Sequence, residues 1–166
     1  MRNIIAFPLL LLAVVLQSSV VSQVKLLSGY ADLPLLVLGA WALQDRVKSG
    51  WHWAALGCVM LAFVSVMPLP VIVIGYFAVI FIAHILQRRV WQAPLLAMFS
   101  VTFFSTLFLQ LLSFVTLRLL GTPLGLYDVI GLIVLPSLLL NMLFSIPVYV
   151  FMRDLARWVY PAEEYQ

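Results

Sequence analysis

Uncharged polar side chains recur every four residues within two of the most apolar stretches of the sequence. Residues four apart lie on the same face of a helix, so each stretch is expected to carry one polar stripe. The candidate contact residues are Thr102, Thr106, Gln110, Ser137, Asn141, Ser145 and Pro147. They can join helices through interhelical hydrogen bonds, each worth about 0.6–2 kcal/mol. Alternatively, Gln110 and Asn141 can line a cavity for a small ligand.

Asn141 carries the strongest constraint of this set. Its amide is costly inside an apolar environment unless a neighbouring helix satisfies it. The sequence therefore predicts that Asn141 faces a partner helix, from this chain or from another. Ser137 and Ser145 share its face, and the opposite face is composed of Leu, Phe and Val.

Titratable residues do not form an enzymatic constellation in the sequence. The six acidic residues lie at the predicted ends of apolar spans or in the C-terminal tail: Asp32, Asp45, Asp128, Asp154, Glu163 and Glu164. An intramembrane aspartyl protease needs two Asp at depth, and a zinc protease needs paired His with a Glu. His52 and His84 are far apart, and Cys58 is alone. We therefore predict a non-enzymatic protein without a cofactor or a metal.

The composition is that of an integral membrane protein. The 166 residues are 65% hydrophobic and only 9% charged, with a mean hydropathy of +1.16. A soluble domain carries about 25% charged residues. The net charge of +3 does not indicate nucleic-acid binding, because the basic residues lie at span ends.

Six apolar spans are separated by charged or Pro/Gly-containing breaks. Residues 1–166 are predicted to form a single polytopic membrane domain, an all-α compact bundle of six transmembrane helices. The spans cover about 4–21, 32–44, 51–67, 70–86, 92–117 and 127–152, and residues 153–166 form a cytoplasmic amphipathic and acidic tail. A bilayer core needs ~20 residues of helix, so the second span is short and is expected to be tilted or a half-span.

The distribution of basic residues predicts the topology. If all six spans cross, one side collects seven basic residues and the other only Lys25 and Arg118. The seven are Arg2 and the cytoplasmic anchors Arg46, Lys48, Arg88, Arg89, Arg153 and Arg157. By the positive-inside rule, both termini then face the cytoplasm.

Aromatic residues near the span ends are typical of an interfacial belt. They are Trp41, Trp51, Trp53, Trp91, Trp158, Tyr30, Tyr127 and Tyr160. The fifth span also carries several Phe residues, which indicate either a lipid-facing surface or a docking face for another membrane subunit.

The last span resembles the C-terminal motif of the MreD family, the rod shape-determining membrane proteins of bacteria. The resemblance rests on the run Leu135-Pro136-Ser137-Leu138-Leu139-Leu140-Asn141-Met142-Leu143-Phe144-Ser145-Ile146-Pro147-Val148-Tyr149, followed by Arg153. In that family, too, an Asn and a Pro six residues later lie in the last helix before a basic end.

The rest of the chain is similar to MreD more loosely. Asp32-Leu33 opens a short second span like the family's Pro-Asp-Leu element, although Ala31 stands in place of the Pro. Pro68-Leu69-Pro70, Gly75-Tyr76 and the Arg88-Arg89 pair resemble the family's middle. The acidic residue expected before the Pro-Leu turn is absent, and Ala62 lies about there.

The resemblance implies a scaffold or regulatory subunit of the cell-elongation complex in the bacterial cytoplasmic (inner) membrane. The implied partners are an MreC-like bitopic protein, a RodA-type glycosyltransferase and a class B penicillin-binding protein, with MreB reached indirectly. The six-helix architecture is also similar to the substrate-binding subunit of energy-coupling-factor vitamin transporters. In that alternative Gln110, Asn141 and Gln17 or Arg118 would contact the ligand. A third alternative is an accessory subunit of an energy-transducing complex.

Overall fold

The computed structural model describes residues 5–19, 23, 26–44, 50–89, 93–123 and 125–160. These residues form six helices, and apart from an isolated bridge between Leu26 and Gly29 they contain no β-structure. The helices are α1 (Ala6–Ser19), α2 (Leu33–Ala42), α3 (Gly50–Val64), α4 (Leu69–Arg89), α5 (Pro94–Leu119) and α6 (Leu126–Val159). The prediction of an all-helical fold is confirmed.

Helix α2 is the centre of the bundle and packs against each of the other five helices. Asp32 caps its N-terminus by accepting a hydrogen bond from the Leu35 N–H, and Pro34 lies in the first turn, where a missing N–H costs nothing. Every residue from Pro34 to Ala42 is buried. A helix that is apolar on all sides is buried, either inside a protein or in a bilayer. Here the other five helices surround α2, which explains how so short a span can be accommodated.

Helices α4, α5 and α6 are each long and apolar enough to cross a bilayer, whereas α1, α2 and α3 are shorter. Arg88, Arg153 and Arg157 mark one end of the long helices, which we call the basic end. The turn after α5, residues 120–123, marks the opposite end.

Helix α6 is irregular near its start. It begins with one α-helical turn, continues as a π-helical turn over Ile130–Val134 and is α-helical again from Leu135. Pro136 has no N–H, so the carbonyl of Leu132 four residues earlier lacks its helical partner. The Ser28 N–H donates to that carbonyl at 3.0 Å instead. The loop before α2 thus satisfies the backbone acceptor that Pro136 leaves open.

The chain after Met152 differs from the predicted separate tail. Helix α6 continues to Val159 without a break, and Met152, Ala156 and Val159 are buried on one face of it. No proline or glycine interrupts the sequence before Pro161, so nothing ends the helix earlier. The predicted acidic tail, 162–166, lies outside the described residues.

Two tryptophans of the predicted interfacial belt are in the core. Trp41 and Trp53 are fully buried and stack with ring centroids 4.1 Å apart. They lie at span ends in the sequence, but α2 is surrounded by the other helices and Trp53 lies on the buried face of α3, so both rings are inside the bundle. Trp51, Trp158 and Tyr127 are exposed, as an interfacial position requires.

Candidate functional site

An extended segment, residues 28–32, lies along α6 and positions the site. Alternate N–H groups of this segment donate to α6. Ser28 donates to the Leu132 carbonyl at 3.0 Å, Tyr30 to the Ser137 hydroxyl at 3.2 Å and Asp32 to the Asn141 side-chain oxygen at 2.7 Å. Gly29 sits directly on the helix backbone, where an added Cβ would lie 2.6 Å from the Ser137 nitrogen. The absence of a side chain at Gly29 therefore allows this contact.

The Asp32 carboxylate is held inside the bundle by two donors. Its Oδ1 accepts the Leu35 N–H at 3.0 Å, and its Oδ2 accepts the Tyr76 hydroxyl at 2.7 Å. Because Asp32 is the N-cap of α2, the positive end of that helix also favours its negative charge.

Asn141 connects three helices. Its Oδ1 accepts the Asp32 N–H at the start of α2, and its Nδ2 donates to the Thr106 hydroxyl of α5 at 2.9 Å. The side chain is 1% exposed. The predicted partner helices of Asn141 are thus supplied by this chain.

Gln17 fastens α1 to the same place. Its Nε2 donates to the Ala31 carbonyl at 2.7 Å, and its Oε1 accepts the Leu33 N–H at 2.9 Å. One amide side chain therefore satisfies two backbone groups that flank Asp32, and α1 becomes part of the support of the site.

The polar residues of the site lie at a common level. Tyr76 is twelve residues before Arg88, Thr106 is twelve after Pro94, and Asn141 is twelve before Arg153. At 1.5 Å per residue, each lies about 18 Å from the basic end of its helix. The short α2 carries Asp32 to the same depth.

A cavity of about 110 Å³ adjoins this polar cluster. The polar side chains that line it are Tyr30, Asp32, Ser65, Tyr76, Thr106, Gln110, Ser113 and Asn141. Within the described part of the chain, the Tyr30 hydroxyl, the Gln110 amide and the Ser113 hydroxyl have no protein hydrogen-bond partner. Burial, together with the neighbouring Asp32, raises the pKa of Tyr30 above its usual value of 10.0, so this phenol is neutral at physiological pH.

A second concave surface is apolar. The α1–α6 groove has a volume of about 330 Å³, and Leu33 and Val37 of α2 contribute to its lining. The remaining lining residues come from α1 and α6: Leu9, Leu12, Ala13, Leu16, Phe144, Pro147, Val148 and Phe151.

The predicted polar stripes separate into different environments. Thr106, Ser137 and Asn141 join the cluster at Asp32, and Gln110 lines its cavity. The Ser145 hydroxyl donates to the Met142 carbonyl of its own helix, and Pro147 lies in the α1–α6 groove. Thr102 is fully buried, and its hydroxyl has no partner among the described residues.

The predicted cytoplasmic anchors are described only in part. Arg88 and Arg157 are exposed, and Arg153 forms an exposed ion pair with Asp154 at 3.2 Å. Arg46, Lys48 and the side chain of Arg89 lie outside the described part of the chain, as do Arg2 and Lys25.

Asp32 and Tyr76 are the site residues that the sequence analysis missed. Asp32 does lie at the end of a span, as predicted, but this end of α2 is inside the bundle, where Asp32 bonds to Tyr76, and the sequence analysis did not predict that contact. The shortness of the second span was the available signal: ten helical residues extend about 15 Å, which is half of a bilayer core, so a helix of that length cannot have both ends at bilayer surfaces.

No protein-family model, curated protein or solved structure matches this chain.

Proposed function

We propose that this protein is a non-enzymatic scaffold or regulatory subunit of the bacterial cell-elongation complex, located in the cytoplasmic membrane with both termini inside. It binds the transmembrane helix of an MreC-like bitopic protein and through it associates with a RodA-type glycosyltransferase and a class B penicillin-binding protein. The resemblance of the last helix to MreD supports the identity of the complex, and the helical fold with three span-length helices is compatible with it.

The observation that carries the binding proposal is the α1–α6 groove. Its lining is almost entirely apolar side chains, and the ridges on either side, including Leu12 and Phe151, are 53% and 56% exposed. Between helices in lipid, association depends on close packing rather than on the hydrophobic effect. A groove gives a partner helix more packing contacts than a convex surface does, so it is the favoured place for a transmembrane partner.

The polar cluster supports this proposal indirectly. Both the oxygen and the nitrogen of the Asn141 amide are bonded inside the chain, and Gln17 is likewise bonded to Ala31 and Leu33. These bonds tie α1, α2, α5 and α6 together, so the two helices that form the groove are held by the central helix. A preorganised groove loses less entropy when a partner binds.

The alternative of a vitamin-binding transporter subunit has one observation in its favour, because Gln110 and Asn141 do line a common cavity. Its volume of about 110 Å³ is well below the ~300–1,000 Å³ of sites that enclose drug-sized ligands. The cavity therefore favours an occupant much smaller than a vitamin.

Site-specific photo-crosslinking in the native membrane tests the scaffold proposal. A photoreactive side chain at Leu12 or Phe151 is expected to crosslink a single-span partner, whereas one at Phe104 on α5, which is 53% exposed, is the matched control. Mass spectrometry then identifies the captured chain. Crosslinks that are equal at all three positions, or that capture paired ATPase subunits, would contradict the proposal.

A further inference from the structure

We propose that the cavity beside Asp32 binds one monovalent metal cation, Na⁺ or K⁺, together with its residual water. This inference concerns the polar cavity and is independent of the partner that occupies the α1–α6 groove.

The charge of Asp32 requires a counter-charge in or beside the cavity. Asp32 is a half-buried carboxylate within a helical bundle, and the described residues that line its cavity include no Lys, Arg or His. Its two protein donors, the Leu35 N–H and the Tyr76 hydroxyl, are neutral. A buried charge is stable only when it is paired as well as hydrogen-bonded. One carboxylate supplies one negative charge, so a single monovalent cation balances it and a divalent cation does not.

The polar residues that line the cavity offer the oxygen ligands that such a cation needs. Tyr30, Gln110 and Ser113 line the cavity, and their side-chain polar groups have no protein partner in the described part of the chain. Each offers an oxygen, and oxygen ligands suit hard cations. Asp32 retains acceptor capacity as well, since an ionised carboxylate has about four lone-pair sites and the protein uses two.

The cavity has the size of a small hydrated ion and extends from the polar cluster toward one end of the bundle. A volume of about 110 Å³ holds an ion with a few water molecules, each of which occupies ~30 Å³ in the liquid. Gln110 and Ser113 lie one and two turns beyond Thr106 toward the opposite end of α5, and Ser65 and Met67 come from the turn between α3 and α4. The cavity therefore extends from the polar cluster away from the basic end.

Thermal unfolding of the full chain in detergent, together with binding of radioactive ²²Na⁺, tests the inference. NaCl and KCl are compared with choline chloride at equal ionic strength, because choline is too large for the cavity. We expect at least one of the two metal cations to raise the unfolding temperature saturably, and Na⁺ binding, if Na⁺ is the ion, to approach one per chain.

Three variants locate the effect. Asp32→Asn keeps an N-cap that can accept the Leu35 N–H and should abolish the cation-specific stabilisation. Gln110→Leu keeps the carboxylate and should weaken the apparent affinity about tenfold, the effect of losing one contact to a charged group. Asp154→Asn, at an exposed carboxylate near the basic end, should behave as the wild type.

Two results would overturn the inference. One is equal stability of the wild type in all three salts. The other is a stabilisation that appears only as the pH falls and is lost in Asp32→Asn, which would mean that a proton neutralises this carboxylate. Among the described residues, the other titratable groups beside Asp32 are the phenols of Tyr30 and Tyr76, which do not titrate in acid, so an acid-dependent change would report on Asp32 itself. If Asp32→Asn does not fold, an unchanged cation affinity in Gln110→Leu would also refute the proposed ligand set.

Discussion

Replacing Gly29 by alanine tests the contact between the segment 28–32 and α6. The added Cβ would lie 2.6 Å from the Ser137 nitrogen, 2.8 Å from the Ile133 carbonyl oxygen and 2.8 Å from the Pro136 Cβ. Two of these atoms belong to the helix backbone and cannot rotate away. Gly29 has no positive φ, so the conflict is one of space and not of backbone conformation.

The size of the destabilisation depends on how the segment 28–32 makes room for the added Cβ. The segment can make room only by lifting off α6, and this weakens the hydrogen bonds of Ser28, Tyr30 and Asp32 to that helix. A buried hydrogen bond contributes about 1 kcal/mol, and overpacking costs ~1–3 kcal/mol. We expect Gly29→Ala to lower the free energy of unfolding by about 2–4 kcal/mol.

The matched control is Gly131→Ala in the π-helical turn of α6. A Cβ at Gly131 meets no atom within 4 Å, and alanine is favoured over glycine in a helix by ~0.5–1 kcal/mol. Equilibrium unfolding of both variants in mixed micelles gives the two free energies. A Gly29→Ala protein as stable as the wild type, or as stable as Gly131→Ala, would refute the close contact.

Three further predictions concern the buried side chains. Tyr76→Phe removes one hydrogen-bond donor from the Asp32 carboxylate and should lower the free energy of unfolding by about 2 kcal/mol. The control Tyr127→Phe, at a side chain 90% exposed, should change it by less than ~0.5 kcal/mol. Equal losses in the two variants would contradict the hydrogen bond between Tyr76 and Asp32. Asn141→Leu leaves the Asp32 N–H without its acceptor. We expect membrane insertion to stay intact and co-purification of the partner complex to weaken. Normal assembly of that complex would mean that Asn141 contributes only to packing within this chain. The Cys58 thiol, 5% exposed, should react with a maleimide only after unfolding in detergent, and rapid labelling of the native protein would show that α3 is packed differently.

The helices were predictable because each is a continuous apolar run between charged or Pro/Gly breaks. The described residues form helices within a few residues of the six apolar runs, apart from the continuation of α6 past Met152, and three of these helices are long enough to cross a membrane. Hydropathy did not predict which helix is central. Only the uniform apolarity of α2, which has no polar face between Leu33 and Leu43, distinguishes a surrounded helix from one at the edge.

The sequence predicted the α5 and α6 residues of the polar cluster but not their contact with the start of α2. The spacing of Thr106 and Asn141 marked the stripes of α5 and α6, and these two side chains bond to each other. The second partner of Asn141 is the Asp32 N–H, 109 residues earlier in the chain. No periodicity within one span contains that pairing. It depends on the extended segment 28–32, whose course along α6 is set by Gly29 and by the carbonyl that Pro136 leaves free.

The bonds between segment 28–32 and α6 also constrain how the protein is made. Asp32 and Asn141 are separated by 109 residues, and Tyr30 and Ser137 by 107. At a synthesis rate of ~5–20 residues per second, the start of α2 waits roughly 5–20 s for its partners. During that interval the N–H groups of Tyr30 and Asp32 lack the acceptors that α6 will supply, although the Asp32 carboxylate can already bond to Leu35 and Tyr76. The emerging chain therefore depends on its last helix to complete the hydrogen bonds at the start of α2.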